Sequence, residues 1–247
     1  MSKWVLGAAF AALLAVLAAA GFFSYRIFRP ALPDFGATEV LKEFRFDAPE
    51  SLGAWSEKLF RGKTRYQIAP GPGGEPSLRI VSEGTSSAMY REIRIPISDN
   101  PVLEWDWHLS RFPGNKKNCE LGCQPDNDFP LRIYVIFKAR SIFSADIIEY
   151  VWDESQPVGA HASSPFSDRV KLYVVHTGKA EEGAGWSTQR RSVVEDYRAL
   201  FGKEPSKDVA AIAFMGDSDD TQSSSEAFLK RISVNVAPDS PEKGDTP

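Results

Sequence analysis

The stretch Val102-Leu-Glu-Trp-Asp-Trp-His-Leu109 decides the fold of this 247-residue chain. Every second residue in it is strongly apolar, and this set comprises Leu103, Trp105, Trp107 and Leu109. Successive side chains of an extended chain point to opposite sides, so the pattern predicts a β-strand with one face buried. The other face of the same strand is ionisable.

Similar short runs recur along the chain, at residues 43–46, 64–68, 77–82, 89–97, 129–137, 147–152, 170–176, 209–215 and 228–236. Turn-forming residues separate almost every pair, and helical patterns between the runs are almost absent. This organisation predicts an all-β fold, an antiparallel β-sandwich of jelly-roll type, and disfavours a parallel α/β sheet. The exception is a short helix near residues 195–202, where Gly202 is suited to the C-cap and Pro205 prevents continuation.

Residues 4–23 carry no charge and consist of apolar or small side chains. A helix of that length just spans a hydrocarbon core of roughly 30 Å. We therefore expect an N-terminal transmembrane helix, with residues 1–27 as a membrane anchor or signal segment, 28–39 as a linker, 40–236 as a β-sandwich domain and 237–247 as a disordered tail. The expected location is the periplasmic face of a bacterial inner membrane. The alternative is secretion to the periplasm after signal cleavage.

The balance of charge argues against a nucleic-acid partner. The first thirty residues contain three basic residues and no acid, so the rest has 26 basic and 33 acidic residues, a net charge of −7. A phosphate-binding surface requires a basic excess, and the basic residues here are scattered along the chain. The expected partners are the membrane, through the N-terminal segment, and the ligand of the exported domain.

Cys119 and Cys123 are the only two cysteines and lie in a polar segment. An even count fits an oxidising compartment, and we predict a local disulfide between them, with free thiols as the alternative. A zinc site is disfavoured because the sequence offers no second pair of soft ligands. A redox role is a minor alternative, because the spacing is C-x-x-x-C instead of C-x-x-C.

The sequence contains no motif that identifies a reaction. Gly-x-Ser-x-Gly, His-Glu-x-x-His and a Gly-x-Gly-x-x-Gly that opens a helix are all absent. Only three histidines are present, which makes a three-histidine metal site improbable. We therefore predict no catalytic residue, and leave open whether the protein is an enzyme.

Three carboxylates in one loop are the first candidate site. Asp217, Asp219 and Asp220 follow the predicted strand at 209–215, and hard cations such as calcium bind oxygen ligands of this kind. Asp126 and Asp128 would contribute only if their loop meets this one in space. The alternative is a solvated turn, and the twelve-residue EF-hand pattern does not fit. Calcium is the one cofactor that the sequence suggests.

The second candidate is an ionisable face. Glu104, Asp106 and His108 lie opposite the two tryptophans of their strand, and Arg132 and Tyr134 share one side of another strand. If the two strands are neighbours, the five side chains form one ligand-binding patch of the type that binds carbohydrate. The alternatives are a glycosidase pair made by Glu104 and Asp106, and an Arg132–Asp106 ion pair that only covers the sheet.

Five motifs also occur in a recognisable order. They are Trp105-Asp-Trp107, then the run from Asn127-Asp128 through Arg132 to Phe137, then Tyr150-Val-Trp152, then Arg191 to Gly202, then Asp217-Ser-Asp219-Asp220-Thr221. In this order the chain resembles the bacterial exported family catalogued as domain of unknown function 3047. The resemblance implies an envelope protein with a mostly β domain, and it implies no reaction. One departure is Asn127 before Asp128, where the family pattern has paired acids.

The leading functional hypothesis is an exported, membrane-tethered module that binds an envelope or extracellular glycan. A polysaccharide-active hydrolase with paired carboxylates is the first alternative, and a structural adaptor of the cell envelope is the second. A deep pocket around the carboxylates would favour the hydrolase, a shallow face with aromatic side chains would favour glycan binding, and a flat apolar patch would favour the adaptor.

Overall fold

Thirteen β-strands and one α-helix make up the part of the chain that a computed structural model describes, residues 38–117, 119–140, 144–179 and 184–236. The strands form two sheets. The six-stranded sheet has the order β11 (Ser187–Ser192), β6 (Val102–Arg111), β13 (Ser224–Val236), β4 (Pro76–Glu83) and β3 (Arg65–Pro70), with β1 (Glu39–Arg45) also paired to β13. The seven-stranded sheet has the order β2 (Ser56–Arg61), β5 (Ser86–Ile95), β12 (Val209–Asp217), β7 (Arg132–Phe137), β8 (Ile147–Asp153), β10 (Ser167–Thr177) and β9 (His161–Ser164).

The two sheets enclose one large apolar core, as the alternation in β6 predicts. Trp105 and Trp107 are both fully buried. Each contacts an aromatic residue of β8 in the other sheet: the ring centroids of Trp105 and Tyr150 are 5.2 Å apart, and those of Trp107 and Trp152 are 5.8 Å apart. The all-β sandwich is therefore confirmed.

One pair of strands departs from the antiparallel arrangement, since β8 and β10 are parallel. After β8 the chain passes to the edge of the sheet, forms β9, and returns through a tight turn into β10. This short excursion supplies the crossover that a parallel pair needs.

The single helix, α1, spans Val193–Phe201 and begins two residues before the predicted position. The Ser192 side chain accepts a hydrogen bond from the Glu195 backbone N–H, a standard N-cap contact. Gly202 ends the helix with φ of 66°, the left-handed conformation that favours glycine.

A smaller apolar cluster lies outside the main core, on the outer face of the seven-stranded sheet. It contains Phe129, Val151, Leu172 and Val174, with Leu121 packed against them. Leu121 and Phe129 belong to the loop 112–131, which also carries the predicted disulfide between Cys119 and Cys123. The loop therefore covers part of the sheet and is not a peripheral excursion.

The predicted anchor 1–27 and tail 237–247 lie outside the described residues, as does the predicted linker except for residues 38 and 39. Within the described ranges, no helix is long and apolar enough to span a bilayer.

Candidate functional site

The five predicted ligand-binding residues do not form one patch. β6 belongs to the six-stranded sheet and β7 to the seven-stranded sheet, so the two strands are not neighbours. Glu104, Asp106 and His108 therefore lie on one outer face of the sandwich, and Arg132 and Tyr134 lie on the other. The sequence supplied the correct side of each strand but not the sheet to which each belongs.

On the six-stranded face, the two predicted carboxylates share one cation. Arg231 donates hydrogen bonds to Glu104 and Asp106, and its Nε lies 2.7 Å from Asp106 Oδ2. Thr188 Oγ1 donates to Asp106 Oδ1 at 2.7 Å. His108 contacts the Gly185 carbonyl oxygen through Nδ1 at 3.1 Å. The face is thus covered by an ion-pair network, with Arg231 in the position for which Arg132 was predicted.

On the seven-stranded face, Arg132 is the centre of a buried ionic network. Its Nη1 lies 2.5 Å from Glu149 Oε1, and its Nε and Nη2 donate to the two carboxylate oxygens of Asp217. Asp217 Oδ1 also accepts a hydrogen bond from the Phe129 backbone N–H at 2.8 Å. The side chains of Arg132, Glu149 and Asp217 are each only 3% exposed.

This network places one cation against two carboxylates in a site without solvent. Burial raises the pKa of Asp217, and the Arg132 guanidinium opposes that increase. Burial also disfavours the charge of Arg132, but the carboxylates of Asp217 and Glu149 outweigh it and raise the pKa of the guanidinium. Arg132 and Asp217 therefore each favour the charged form of the other.

The predicted calcium site adjoins this network, because Asp217 belongs to both. Asp128, Asp217 and Asp219 each offer an oxygen, and the three oxygens lie within 4.8 Å of one another. The Asp128 carboxylate accepts hydrogen bonds from the backbone N–H groups of Asp220 and Thr221, at 3.2 and 2.6 Å. The loop of Asp128 and the loop 217–223 therefore meet in space, the condition that the sequence left open.

Two members of the predicted set behave differently from expectation. Asp217 already binds Arg132 through both oxygens, and Asp220 is not part of the convergent group. Asp126 lies in the disulfide loop instead, where it accepts hydrogen bonds from the backbone N–H groups of Lys117 and Cys119 at 2.7 and 3.0 Å.

Asp128, Asp217, Asp219 and Asp220 are called the acidic corner below. Their negative charges are not neutralised completely. Burial and then the charge of Asp128 raise the pKa of both Asp219 and Asp220. The buried amide oxygen Oδ1 of Asn127 also has no hydrogen-bond partner among the described residues. Carboxylate and amide oxygens are the ligands that calcium uses, so the corner is chemically suited to such a cation.

Beside the ionic network lies a row of side chains that the sequence analysis named only in part. Strand pairing sets Tyr90 opposite Ala213, Ala213 opposite Tyr134, and Tyr134 opposite Glu149. On β7, β8 and β12 the residues on both sides of this row belong to the main core, as does Met89 on β5, so the row lies on the outer face. Tyr90, Ala213 and Tyr134 are called the tyrosine row below.

Both tyrosines are partly exposed, whereas Ala213 between them is 4% exposed. Among the described residues, the Tyr134 hydroxyl has one hydrogen-bond partner, the Met215 sulfur at 3.7 Å, and a thioether is a weak acceptor. Burial and then the negative charge of Glu149 raise the pKa of Tyr134, so its hydroxyl keeps its proton. The row therefore presents two aromatic rings and a hydroxyl whose donor capacity is poorly used.

Sequence reasoning missed Glu149 and Tyr90. Glu149 is the only charged residue in the apolar part of β8, and a charge in a fully buried strand requires a partner. That signal was present in the sequence. Tyr90 gave none, because its relation to Tyr134 depends on strand order.

The fold is similar to solved structures of low sequence identity. A family 11 carbohydrate-binding module of a cellulase from Clostridium thermocellum is 10% identical, with 81% of this chain and 97% of that chain covered and a TM-score of 0.40. A xylan-binding domain from Paenibacillus barcinonensis is 8% identical, with 83% and 98% covered and a TM-score of 0.39. A xyloglucanase domain from Sinorhizobium fredii is 10% identical, with 73% and 92% covered and a TM-score of 0.40. Similarities of this degree do not identify a ligand.

No curated protein matches the sequence. Residues 53–233 match the family described as protein of unknown function DUF3047. This span contains the ionic network, the acidic corner and the tyrosine row. The chain therefore belongs to the DUF3047 family, as the order of its sequence motifs indicated.

Proposed function

We propose that the β-sandwich is a glycan-binding module and that its ligand lies across the tyrosine row. The observation that carries this proposal is the placement of two partly exposed tyrosines on β5 and β7, the two strands that flank β12. The small side chain of Ala213 on β12 lies between them. Neighbouring strands are about 4.8 Å apart, so the two tyrosine positions are separated by roughly 10 Å. An extended sugar chain can contact both rings across that distance.

The chemistry around the row supports a ligand rich in hydroxyl groups. Aromatic rings bind the CH faces of sugars, and polar groups beside them orient the hydroxyls. The Tyr134 hydroxyl is an available donor, and the carboxylates of Asp219 and Asp220 at the neighbouring corner are acceptors. This excess of acidic groups favours a neutral glycan over one with carboxylates or sulfates.

The proposal is tested by glycan-array binding, followed by titration of the best ligand with wild-type protein, Tyr134→Ala and Tyr90→Ala. Each substitution should weaken binding by about fivefold or more, because the loss of one aromatic anchor costs more than about 1 kcal/mol. Phe166→Ala is the matched control, since Phe166 is 68% exposed in the turn between β9 and β10, outside the tyrosine row. Equal affinity of the two tyrosine variants and the control would place the ligand elsewhere.

The hydrolase alternative receives less support. Glu104 and Asp106 are both bound by Arg231, and neither lines the cavity at the ends of β7 and α1. The adaptor alternative requires a flat apolar patch. The exposed large apolar side chains instead include Val40 and Leu41 on β1 and Leu59 and Phe60 on β2, strands that belong to different sheets.

The proposal also includes three features predicted from the sequence: jelly-roll connectivity, export and a calcium site. The orders β11-β6-β13-β4 and β5-β12-β7-β8 support jelly-roll connectivity, in which the chain crosses repeatedly between two four-stranded sheets; among these eight strands, only β7 and β8 follow each other within one sheet. The uncharged run 4–23 and the disulfide support export, with the module tethered to the periplasmic face of the membrane or released after cleavage. Calcium at the acidic corner stays a prediction, with Asp128 added to the predicted set.

A further inference from the structure

A cavity of about 320 Å³ lies where the ends of β7 and α1 meet β10. This volume is at the lower end of the range for small-molecule sites. Two backbone hydrogen bonds fix its frame, from Phe137 N–H to the Asp146 carbonyl oxygen at 3.0 Å and from Lys138 N–H to the Asp208 carbonyl oxygen at 2.8 Å. The cavity shares no residue with the tyrosine row or the acidic corner.

The charged side chains around the cavity are mostly basic. Five of the lining residues are cationic, and these are Lys138, Arg140, Arg169, Lys203 and Lys207. Asp146 is the one acidic residue in the lining. The whole chain has a net charge of −4, so this concentration of cations runs against its composition.

Asp146 is already satisfied by its neighbours. Its two oxygens lie 2.9 Å from Arg169 Nη1 and 3.1 Å from Lys203 Nζ. The Tyr197 hydroxyl also donates a hydrogen bond to Asp146, at 2.6 Å. Burial alone would raise the pKa of Asp146, but the hydrogen bonds from Tyr197 and Lys203 hold it below its ordinary value. Asp146 thus balances part of the charge of two of the five cations, Arg169 and Lys203.

The other three cations, Lys138, Arg140 and Lys207, form no ion pair with any carboxylate among the described residues. The two acids nearest to Lys207 in the sequence form ion pairs elsewhere. Glu204 binds Arg198 at 2.7 Å, and Asp208 lies 3.4 Å from Arg94. These three exposed cations, which have no carboxylate partner in the described part of the chain, repel one another around the cavity. A bound anion would remove that repulsion.

We propose that this cavity binds a small ligand through a phosphate group. A phosphate carries a charge of about −1.5 to −2 and several acceptor oxygens, which suits three cationic donors better than a single carboxylate does. The arginine supplies a planar fork for two of these oxygens, and the lysines supply point charges. The phosphate belongs either to a soluble phosphorylated molecule or to a lipid headgroup.

The test is isothermal titration of the full chain with inorganic phosphate at low ionic strength. The wild-type protein is compared with Arg140→Gln/Lys207→Gln and with a control of equal charge change, Lys58→Gln/Lys117→Gln. Lys58 and Lys117 are exposed and remote from the cavity lining. We expect the cavity variant to bind phosphate at least tenfold more weakly than the wild type, and the control to bind within about twofold of it.

Equal affinities in all three proteins, or the absence of binding to the wild type, would overturn the proposal. Melting temperatures of the variants show whether they are folded. They do not replace the titration, because phosphate also stabilises proteins by exclusion from their surfaces.

Two further arms identify the source of the phosphate. Tighter binding of glucose 6-phosphate than of inorganic phosphate, lost in the cavity variant, indicates a soluble ligand. Greater sedimentation with phosphatidylglycerol vesicles than with phosphatidylcholine vesicles, reduced in the cavity variant but not in the control, indicates a headgroup. The comparison between variants is the readout, because all three proteins share the apolar N-terminal run.

Discussion

Arg132 connects more of the candidate site than any other single residue. Its guanidinium binds Glu149 and Asp217, donates to the Asn127 carbonyl oxygen, and lies 4.8 Å from the centroid of the Phe129 ring. A lysine cannot reproduce these contacts, because it lacks the planar fork of donors. The Arg132 side chain therefore joins β7 to β8, to β12 and to the loop 112–131.

We predict that Arg132→Met lowers the free energy of unfolding by about 3–5 kcal/mol, because two buried carboxylates lose their cation. Arg231→Met is the matched control. Arg231 also binds two carboxylates, but its side chain is 21% exposed and theirs are 23% and 11% exposed. Solvent can replace it, so the control should lose no more than about 1 kcal/mol. Urea unfolding measures both, and equal losses would show that burial does not set the cost.

The effect of Asp219→Asn on the melting temperature should depend on pH. The pKa of Asp219 is raised in the folded protein, so the folded state holds this proton more tightly than the unfolded state. The stability from this group is present below about pH 4 and is lost as pH rises through the folded pKa. In chelator, Asp219→Asn should therefore raise the melting temperature at pH 7 and leave it unchanged near pH 3.

Calcium should reverse that order if the corner binds it. The wild type should gain RT ln(1 + [L]/Kd), about 2.7 kcal/mol at a hundredfold excess over Kd, and Asp219→Asn should gain less. The exposed residue Asp168 provides the control through Asp168→Asn. Asp217 is unsuited to this test because its substitution also breaks the Arg132 network. A wild-type melt that is identical in chelator and in millimolar calcium would remove calcium from the site.

At the scale of elements, the sequence predicted the inner strands and the edge strand β3, and it missed three other edge strands. β2, β9 and β11 were not predicted, and each is an edge strand of its sheet. An edge strand has one side in solvent and carries fewer buried apolar residues, so the alternation that marks the inner strands is weak. Strand order was also beyond the sequence, since β6 and β7 have similar patterns but belong to different sheets. This is why five correct side-chain directions gave one incorrect patch.

The disulfide loop shows how a segment that is polar in sequence can be well packed. Gly122 has φ of 82°, and a Cβ at this position would lie 2.5 Å from the Ser163 carbonyl oxygen on β9. Gly159 has a similar φ of 91°, but nothing lies within 4 Å of its Cβ position. Substitution of either glycine would strain the backbone, because both have positive φ. Only at Gly122 would the new Cβ also collide with a neighbouring atom.

We therefore predict that Gly122→Ala lowers the free energy of unfolding by about 1–3 kcal/mol more than Gly159→Ala does. Replacing Cys119 and Cys123 with serine should have a smaller effect, about 1–2 kcal/mol, because the closed loop is short. Urea unfolding measures all three variants. If Gly122→Ala and Gly159→Ala are equally destabilised, the loop does not press on β9 and its cover over the sheet is loose.

At the scale of the whole molecule, the charged residues are segregated in a way that the net charge conceals. The acidic corner lies beside the tyrosine row, whereas cations that have no carboxylate partner among the described residues lie around the cavity near α1. A module with a neutral glycan on one face and a phosphate group at another site would be suited to the space between an anionic membrane and an envelope polymer. Both proposed ligands would be met there only if the domain is exported, so the glycan and phosphate proposals both depend on the predicted location.

We predict that alkaline phosphatase fused after Pro247 is active in a bacterial host, since this reporter folds only outside the cytoplasm. The uncharged run 4–23 should direct the export, so its deletion should abolish the activity while the fusion protein is still made. A β-galactosidase fusion at the same position should show the opposite pattern, because it is active only in the cytoplasm. An active β-galactosidase fusion with a silent alkaline phosphatase fusion would place the domain in the cytoplasm. It would then contradict both the tether and an envelope glycan as the ligand.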